Sequence, residues 1–235
     1  MTNNDPLGQA ILDFAKHGKA NDIVVASDLC EDDVIPVDYL FRTYSEMPKM
    51  EQVALAHCEG TILDVGSGSG IHAQYLKAQG KNVSCIDISP AATNYAQQLG
   101  LNARQLNFFD LKNESYDTLL FMMNGIGIAG TLANLDKTLL HAKTLLNTGG
   151  QVLCDSTDIK YLYEDEDGGM WVDLNTEYYG NFRFQMKYEG HETPWFDWLY
   201  VDAAALEQSA LKCGFRFEIL VEEESQFLTK LTMIT

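Results

Sequence analysis

The sequence predicts an α/β fold with a doubly wound, mostly parallel sheet that carries helices on both faces. Short apolar runs alternate with segments of helical periodicity from residue 61 onward, which is the pattern of strand–helix–strand units. A glycine cluster, GSGSG at 66–70, separates the first of these runs from the helix that follows. The chain has 235 residues, 46% apolar and 21% charged, enough for one such domain with a sizeable core and a small appendage.

Five strands are predicted to alternate with helices in the middle of the chain. They are the apolar segments 62–65, 83–88, 102–107, 116–123 and 151–154. Crossover connections between strands of one sheet are right-handed, so we expect these five strands to lie parallel. A helix at 203–213 and two closing strands, 215–223 and 227–234, complete a seven-stranded sheet.

Residues 1–57 are predicted to form a helical extension that covers one edge or the mouth of the sheet as a lid. Its helices are Leu7–His17 and a second segment, 37–57, which Pro48 interrupts. The remaining residues, 58–235, form the main domain.

An inserted β-hairpin is predicted at 181–201. It belongs to a longer segment, 161–200, which holds twelve of the protein's 25 aromatic residues. This segment leaves the fifth strand at the sheet edge where doubly wound folds bind ligands, so we expect it to be a substrate cap with a hinge at Gly168-Gly169. The alternative is that the aromatic residues pack on the sheet or form the interface of a homo-oligomer.

The charge of the chain makes some partners improbable. A net charge of −18 with four arginines offers no basic track for a nucleic acid or an anionic membrane surface. The uncharged stretch 118–135 contains Asn124 and three glycines, so we interpret it as a buried strand and loop rather than a membrane span. Five scattered cysteines without a CxxC pair, and a first segment unlike a signal peptide, favour a reducing cytoplasm and no metal site.

The most informative motif is ILDVGSGSG at 62–70. Glycines between a strand and a helix let a ligand approach the backbone and the free N–H groups of the helix, although a tight turn would use the same residues. The spacing is G-x-G-x-G, and Ile71 stands where a dinucleotide-binding loop has its third glycine. Asp64 inside the strand is also unexplained by a nicotinamide site.

With these residues the sequence resembles the class I S-adenosylmethionine-dependent methyltransferases, whose sheet is Rossmann-like. The resemblance runs in order through LDVGSGSG, CIDISP at 85–90, Phe108-Phe109-Asp110, Asn124-Gly125 and LLNTGG at 145–150, and covers about residues 60–156. It implies S-adenosylmethionine as cofactor, with the ribose hydroxyls on Asp87 and the adenine edge near Phe109 and Asp110. The cofactor-binding residues it implies are Asp64, Gly66, Ser67, Gly68, Gly70, Asp87, Ile88, Phe109, Asp110, Asn124 and Gly125.

Structural roles compete with these assignments. Asp64 could cap its own loop, Asp87 could be a solvated strand-end acid, and Asp110 and Asn124 could be turn residues. His72, in the first turn after the glycines, could lie near the cofactor carboxylate, but a helix-surface position is the favoured interpretation. Arg42, among aromatic residues with Tyr39, could bind the methionine carboxylate or an acidic substrate, but an ion pair with Glu46 is the favoured interpretation.

The resemblance implies methyl transfer by in-line displacement, and the absence of an Asn/Asp-Pro-Pro-aromatic motif favours a small-molecule acceptor. No catalytic residue is assigned. Candidate general bases, by their position after the fifth strand or in the hairpin, are Asp155, Asp158, Tyr161 and His191. A non-catalytic cofactor-binding protein and an NAD(P)-dependent oxidoreductase remain as alternatives.

Overall fold

The computed structural model describes residues 4–163 and 177–234. Within these ranges the strands are β1 (Ile23–Ser27), β2 (Asp33–Ile35), β3 (Thr61–Val65), β4 (Asn82–Asp87), β5 (Asn102–Gln105), β6 (Tyr116–Phe121), β7 (Leu146–Thr157), β8 (Asn181–Tyr188), β9 (His191–Glu192), β10 (Phe196–Leu199), β11 (Phe215–Glu223) and β12 (Gln226–Met233). The α-helices are α1 (Pro6–His17), α2 (Lys49–His57), α3 (Ile71–Ala78), α4 (Pro90–Gln98), α5 (Leu132–Thr144) and α6 (Ala203–Lys212).

The larger sheet has the strand order β11-β12-β7-β6-β3-β4-β5. Strand β12 runs antiparallel to both of its neighbours, and the other pairs are parallel. The predicted mostly parallel, seven-stranded sheet is therefore confirmed. The first strand of the sheet along the chain is β3. Strands β4 and β5 follow on one side of it, and β6 and β7 are added on the other side. In doubly wound sheets, the point where the strand order reverses in this way opens a crevice in which ligands bind.

Helices cover both faces of this sheet, as predicted. On one face α2 and α3 pack through Leu55 and Leu76 onto Ile62, Leu120 and Leu153. On the other face α5 and α6 pack on a second group of core residues, among them Leu119, Leu139, Val152, Leu206 and Phe215. The apolar runs of the central strands are explained by this burial on two sides.

Strand β7 begins earlier than predicted. Its pairing with β6 starts at Tyr116 opposite Leu146, then shifts so that Thr118 lies opposite Gln151. The extra residues, which include Gly149 and Gly150, form an irregularity in the strand instead of the end of the preceding helix, which stops at Thr144.

The N-terminal extension is not wholly helical, which corrects the prediction. Besides α1, α2 and two 3₁₀ turns (Val37–Phe41 and Tyr44–Glu46), it contains β1 and β2. Strand β1 pairs with β8, and the predicted hairpin is found as β8 with β10, so extension and hairpin share a second sheet of order β10-β8-β1-β2. The hairpin thus has a partner that local sequence does not reveal.

Helix α1 fixes this second sheet to the main domain. The carboxylate of Asp5 caps α1 at Gly8 N and also accepts hydrogen bonds from Ser89 Oγ (2.9 Å) and Ala91 N (3.1 Å) at the start of α4. A Cβ atom on Gly8 would lie 2.6 Å from the Cβ of Ala91, so only glycine permits this close approach. At the other end, Tyr188 of β8 donates a hydrogen bond to Asp13.

Residues 118–135 form the end of β6, a 3₁₀ turn at Gly125–Ala129 and the start of α5. In the described part of the chain, no helix has the length and apolar character needed to cross a bilayer. The acidic run 164–167, the hinge at Gly168-Gly169 and the cap residue Trp171 lie outside the described residues.

Candidate active site

The glycine loop 66–70 presents bare backbone at the carboxyl end of β3. Gly66, Gly68 and Gly70 all have φ values between +53° and +79°, a conformation that glycine adopts without a steric penalty. The amides of Gly66 and Ser67 donate to the carbonyl of Ile86, which fixes the loop against β4. A Cβ on Gly66 or Gly68 would meet no protein atom within 4 Å, so the loop faces open space that a ligand can fill.

Asp87, the last residue of β4, is buried beside this loop. Its carboxylate accepts hydrogen bonds from Gly68 N and Ser89 N, each at 2.8 Å. Burial raises the pKa of this carboxyl group, and the two backbone donors partly oppose the rise. Asp87 is therefore not a solvated acid: it joins the glycine loop to the start of α4. The next residue, Ile88, is 70% exposed.

A cavity of about 480 Å³ opens at this edge of the sheet. Four predicted cofactor residues line it, namely Gly66, Asp87, Ile88 and Phe109. Its other walls come from the N-terminal extension and the hairpin, including Asn4, Asp5, Met186, Thr193, Phe196 and Trp198. The second sheet thus forms one side of the cavity, which sequence reasoning missed.

The other predicted cofactor residues are not part of this cavity wall. Asp64, Ser67, Gly68 and Gly70 lie in or under the glycine loop, and Asn124 and Gly125 lie at the end of β6. Asp110 is exposed at the end of the 3₁₀ turn Phe108–Asp110, where Asn107 rather than Asp110 faces the cavity. The side chain of Asn107 also accepts a hydrogen bond from Phe109 N.

Asn124 holds the hairpin to the sheet. It adopts a left-handed conformation with φ +57°, which asparagine tolerates better than most residues. Its side chain donates to the carbonyl of Leu199 in β10 and accepts from Ser156 Oγ in β7, and its backbone N–H donates to Asp155. The amide nitrogen, the amide oxygen and the backbone N–H of Asn124 thus all bond to protein groups, and Asn124 holds its neighbours in place through these hydrogen bonds.

Arg42, Glu51 and His72 form a buried charged cluster between the extension and the sheet. Arg42 pairs with one oxygen of Glu51 and stacks over the ring of Tyr39 at 3.7 Å, and His72 Nε2 lies 2.8 Å from the other oxygen of Glu51. Burial alone would raise the pKa of Glu51, but hydrogen bonds and charge from His72 and Arg42 bring it below its usual value.

This cluster corrects two expectations. The partner of Arg42 is Glu51 in α2, whereas Glu46 closes a capping box with Thr43. His72 is buried and hydrogen-bonded rather than a surface residue. No motif distinguished Glu51 in the sequence.

A buried and a half-buried aspartate beside this cluster each keep one buried oxygen without a hydrogen-bond partner among the described residues. These atoms are Asp64 Oδ2, at the end of β3, and Asp155 Oδ1, near the end of β7. Burial raises the pKa of both groups to about 6. Arg42 Nε is a third buried polar atom without a partner in the same part of the structure. Such groups are costly unless a ligand or water satisfies them, so they indicate a binding site.

The remaining candidate bases lie elsewhere. Asp158 accepts a hydrogen bond from Tyr179 Oη, Tyr161 is exposed, and His191 belongs to β9 of the second sheet. Of the four candidates, Asp155 is the one near Glu51 and His72, whose charges influence its pKa.

We expect the Asp64→Asn substitution to remove a pH dependence of stability. Because the pKa of this group is about 6 in the folded protein and 3.8 for an ordinary aspartate, the folded protein retains a proton that the unfolded chain releases between these values. The wild type therefore loses free energy of unfolding as the pH rises from about 4 to about 6, by up to about 3 kcal/mol for this group.

Urea denaturation of both proteins without cofactor, over this pH range and up to neutrality, measures the effect. Other carboxylates titrate in both proteins, so the difference between the two curves isolates Asp64. A difference that stays constant with pH would contradict the assignment of a raised pKa.

Comparison with known proteins agrees with this architecture. A family model described as a methyltransferase domain matches residues 39–216. The chain is 42% identical to an S-adenosylmethionine-dependent methyltransferase from Bacteroides fragilis, crystallised with S-adenosyl-L-homocysteine. The match covers 100% of this chain and 97% of that protein, with a TM-score of 0.93. A search of curated proteins gave no match.

More distant structures share the fold alone. The sugar N-methyltransferase KedS8 from Streptoalloteichus is 15% identical, with a TM-score of 0.58 over 89% of this chain and 98% of that one. CalS10, an amino pentose methyltransferase from Micromonospora echinaspora, is 12% identical, with a TM-score of 0.57 over 83% of this chain and 95% of that one.

The family model spans most of the chain, and the Bacteroides fragilis relative aligns along its whole length. These matches confirm the predicted resemblance, the enzyme class and the cofactor, S-adenosylmethionine. The chain belongs to the S-adenosylmethionine-dependent methyltransferases.

Proposed function

We propose that this enzyme methylates a small molecule by in-line displacement, with the cofactor bound across the glycine loop and the 480 Å³ cavity. The observation that carries the proposal is the position of buried Asp87, which lines the cavity and accepts a hydrogen bond from the glycine loop. S-adenosylmethionine supplies an electrophilic methyl group, so the protein has mainly to align the two reactants and exclude water.

Asp87 is proposed to bind the ribose. Its two carboxylate oxygens offer about four acceptor sites, and backbone N–H groups of Gly68 and Ser89 use two of them. Two sites thus remain for a pair of hydroxyl groups. Adenine is proposed to lie between Ile88 and Phe109, whose exposed apolar side chains line the cavity, and Asp110 stays a candidate at its outer rim.

The methionine part of the cofactor is proposed to pass over Gly66, Ser67, Gly68 and Gly70 toward Asn124 and Gly125. The unpartnered oxygen of Asp64 suits its ammonium group, and the unpartnered Nε of Arg42 suits its carboxylate. Open space at Gly66 and Gly68 lets the ligand approach the backbone.

A small acceptor is proposed because of the charge of the chain and the shape of the site. A net charge of −18 disfavours nucleic acid and anionic membrane surfaces as partners. The enzyme is proposed to act on small solutes in the cytoplasm. The described part of the predicted cap contributes Phe196 and Trp198 to the cavity wall, which supports a role in excluding water.

The Asp87→Ala substitution tests the cofactor site. We expect a loss of about 1.5–3 kcal/mol in the free energy of binding S-adenosylmethionine, or roughly tenfold to a hundredfold in affinity, because a charge-assisted contact is removed. Isothermal titration calorimetry measures the affinity, and thermal denaturation shows whether the variant is folded.

Asp117→Ala is the matched control. Asp117 also accepts hydrogen bonds from a backbone N–H and a side chain, those of Thr61 and Asn147, but at the opposite edge of the sheet. It should lose stability and keep its affinity for the cofactor. Unchanged affinity in folded Asp87→Ala would remove Asp87 from the ribose site.

A further inference from the structure

Asp155 is placed beyond the proposed cofactor site, on the same face of the sheet as Asp64. The strand register aligns Asp64 with Leu120 and Leu120 with Leu153, so Asp155, two residues further, points to the same side and lies nearer the carboxyl edge. It is two strands from Asp64, or roughly 10 Å laterally, on the side away from Asp87. The cofactor path proposed above leads toward this side, because it runs toward Asn124, whose N–H donates to Asp155.

The carboxylate of Asp155 is held in place on one side and unpartnered on the other. Oδ2 accepts a hydrogen bond from Asn124 N at 3.0 Å, while Oδ1 is buried without a partner among the described residues. Asn124 is itself fixed by Ser156 and Leu199. The Oδ1 atom is therefore held in a fixed position with its hydrogen-bonding capacity unused.

Asp155 has no ion-pair partner among the described residues, although the charge of His72 acts on its pKa. Arg42 and His72 are both engaged with Glu51, and the ion pairs of the described residues include neither Asp64 nor Asp155. The cofactor brings one ammonium group, which can satisfy one of these two carboxylates. Its sulfonium has no N–H to donate to the other.

Two tyrosines interact electrostatically with the same carboxylate. Burial raises the pKa of Tyr39 and of Tyr200, the latter to about 12, and the negative charge of Asp155 contributes to both shifts. Both side chains therefore lie within electrostatic reach of Asp155. An unpaired carboxylate favours a positively charged ligand group and disfavours an acidic one.

Resting on the proposed function, we propose that the acceptor is a basic amine and that Asp155 Oδ1 binds its nitrogen. The amine enters as an ammonium ion and passes one proton to Asp155, which later releases it to solvent. The freed lone pair forms the N–C bond, the S–C bond breaks with its electrons left on sulfur, and the product leaves as a methylammonium ion.

Methyl transfer to matched acceptors tests the inference. The full-length enzyme is incubated with methyl-labelled S-adenosylmethionine and sets of primary amines, alcohols, thiols and carboxylates that share the same carbon skeletons. We expect label in the amines, with kcat/KM reduced about tenfold or more by Asp155→Asn. Affinity for S-adenosylhomocysteine should be unchanged. Asp158→Asn, the next acidic residue along the chain, should behave as the wild type.

Binding provides a second readout that does not need turnover. Butan-1-amine, which is an ammonium ion at neutral pH, and its neutral isostere butan-1-ol are titrated into wild type saturated with S-adenosylhomocysteine. We expect butan-1-amine to bind about tenfold more tightly, because its ammonium group can donate a charge-assisted hydrogen bond to Asp155, and Asp155→Asn to abolish the difference.

The outcomes separate the two proposals. Label in alcohols, thiols or carboxylates but not amines, or equal binding of butan-1-amine and butan-1-ol, overturns the amine acceptor and leaves the proposed function standing. Failure of the wild type to bind S-adenosylhomocysteine overturns both.

Discussion

Gly68→Val is expected to abolish cofactor binding. The residue has φ +53°, and its Cβ would enter space that holds no protein atom within 4 Å, the space assigned here to the ligand. A β-branched side chain in this conformation also costs about 1–2 kcal/mol of stability. Calorimetry with S-adenosylhomocysteine should detect no saturable binding, while circular dichroism shows a folded protein.

Gly80→Val separates the ligand effect from backbone strain. Gly80 has φ +75°, also faces open space, and follows α3 at the end remote from the cavity. Its substitution should reduce stability by a similar amount and leave cofactor affinity intact. Retained affinity in Gly68→Val would place the ligand elsewhere.

Glu51→Ala is expected to destabilise the fold by roughly 3–5 kcal/mol, because it leaves the buried guanidinium of Arg42 without its counter-charge. His72 loses its hydrogen-bond partner in the same variant. Chemical denaturation at neutral pH measures the change in the free energy of unfolding.

An exposed pair of the same chemistry provides the control. Arg104 and Glu114 have side chains that are 39% and 37% exposed, so Glu114→Ala should cost at most about 1 kcal/mol. Equal losses in the two variants would mean that the Arg42–Glu51 pair contributes no more than a surface ion pair.

The central fold could be predicted because its signals are local. The strands β3, β4 and β6 are short apolar runs followed by glycine, Ser89-Pro90 or Asn124-Gly125, and each run reports burial on two faces. The position of Asp87 follows from the same pattern, since it ends the strand next to the glycine loop.

The second sheet could not be predicted in the same way. Strand β1 pairs with β8, so that Val24 lies opposite Lys187, far away in the sequence. The local sequence of neither strand indicates that it pairs with the other. The sequence therefore predicts the apolar residues of β1 as part of a helical region. The resulting error concealed how the extension and hairpin together enclose the cavity.

The charged residues near the site were only partly predictable for a related reason. Arg42 and His72 attracted notice individually, but their link is Glu51, a common residue in an ordinary helix. The sequence offers Asp155 as one of four candidate bases with equal claims from their position after the predicted fifth strand, 151–154. Its unpartnered oxygen, visible only in three dimensions, distinguishes it.

A crystal structure with S-adenosylhomocysteine tests the central claim most directly. We expect the ribose hydroxyls within hydrogen-bond distance of the Asp87 carboxylate, the adenine beside Phe109 in the cavity, and the sulfur directed toward the edge that bears Asn124 and Asp155. Density for the ligand outside this cavity, with Asp87 contacting only Gly68 and Ser89, would contradict it.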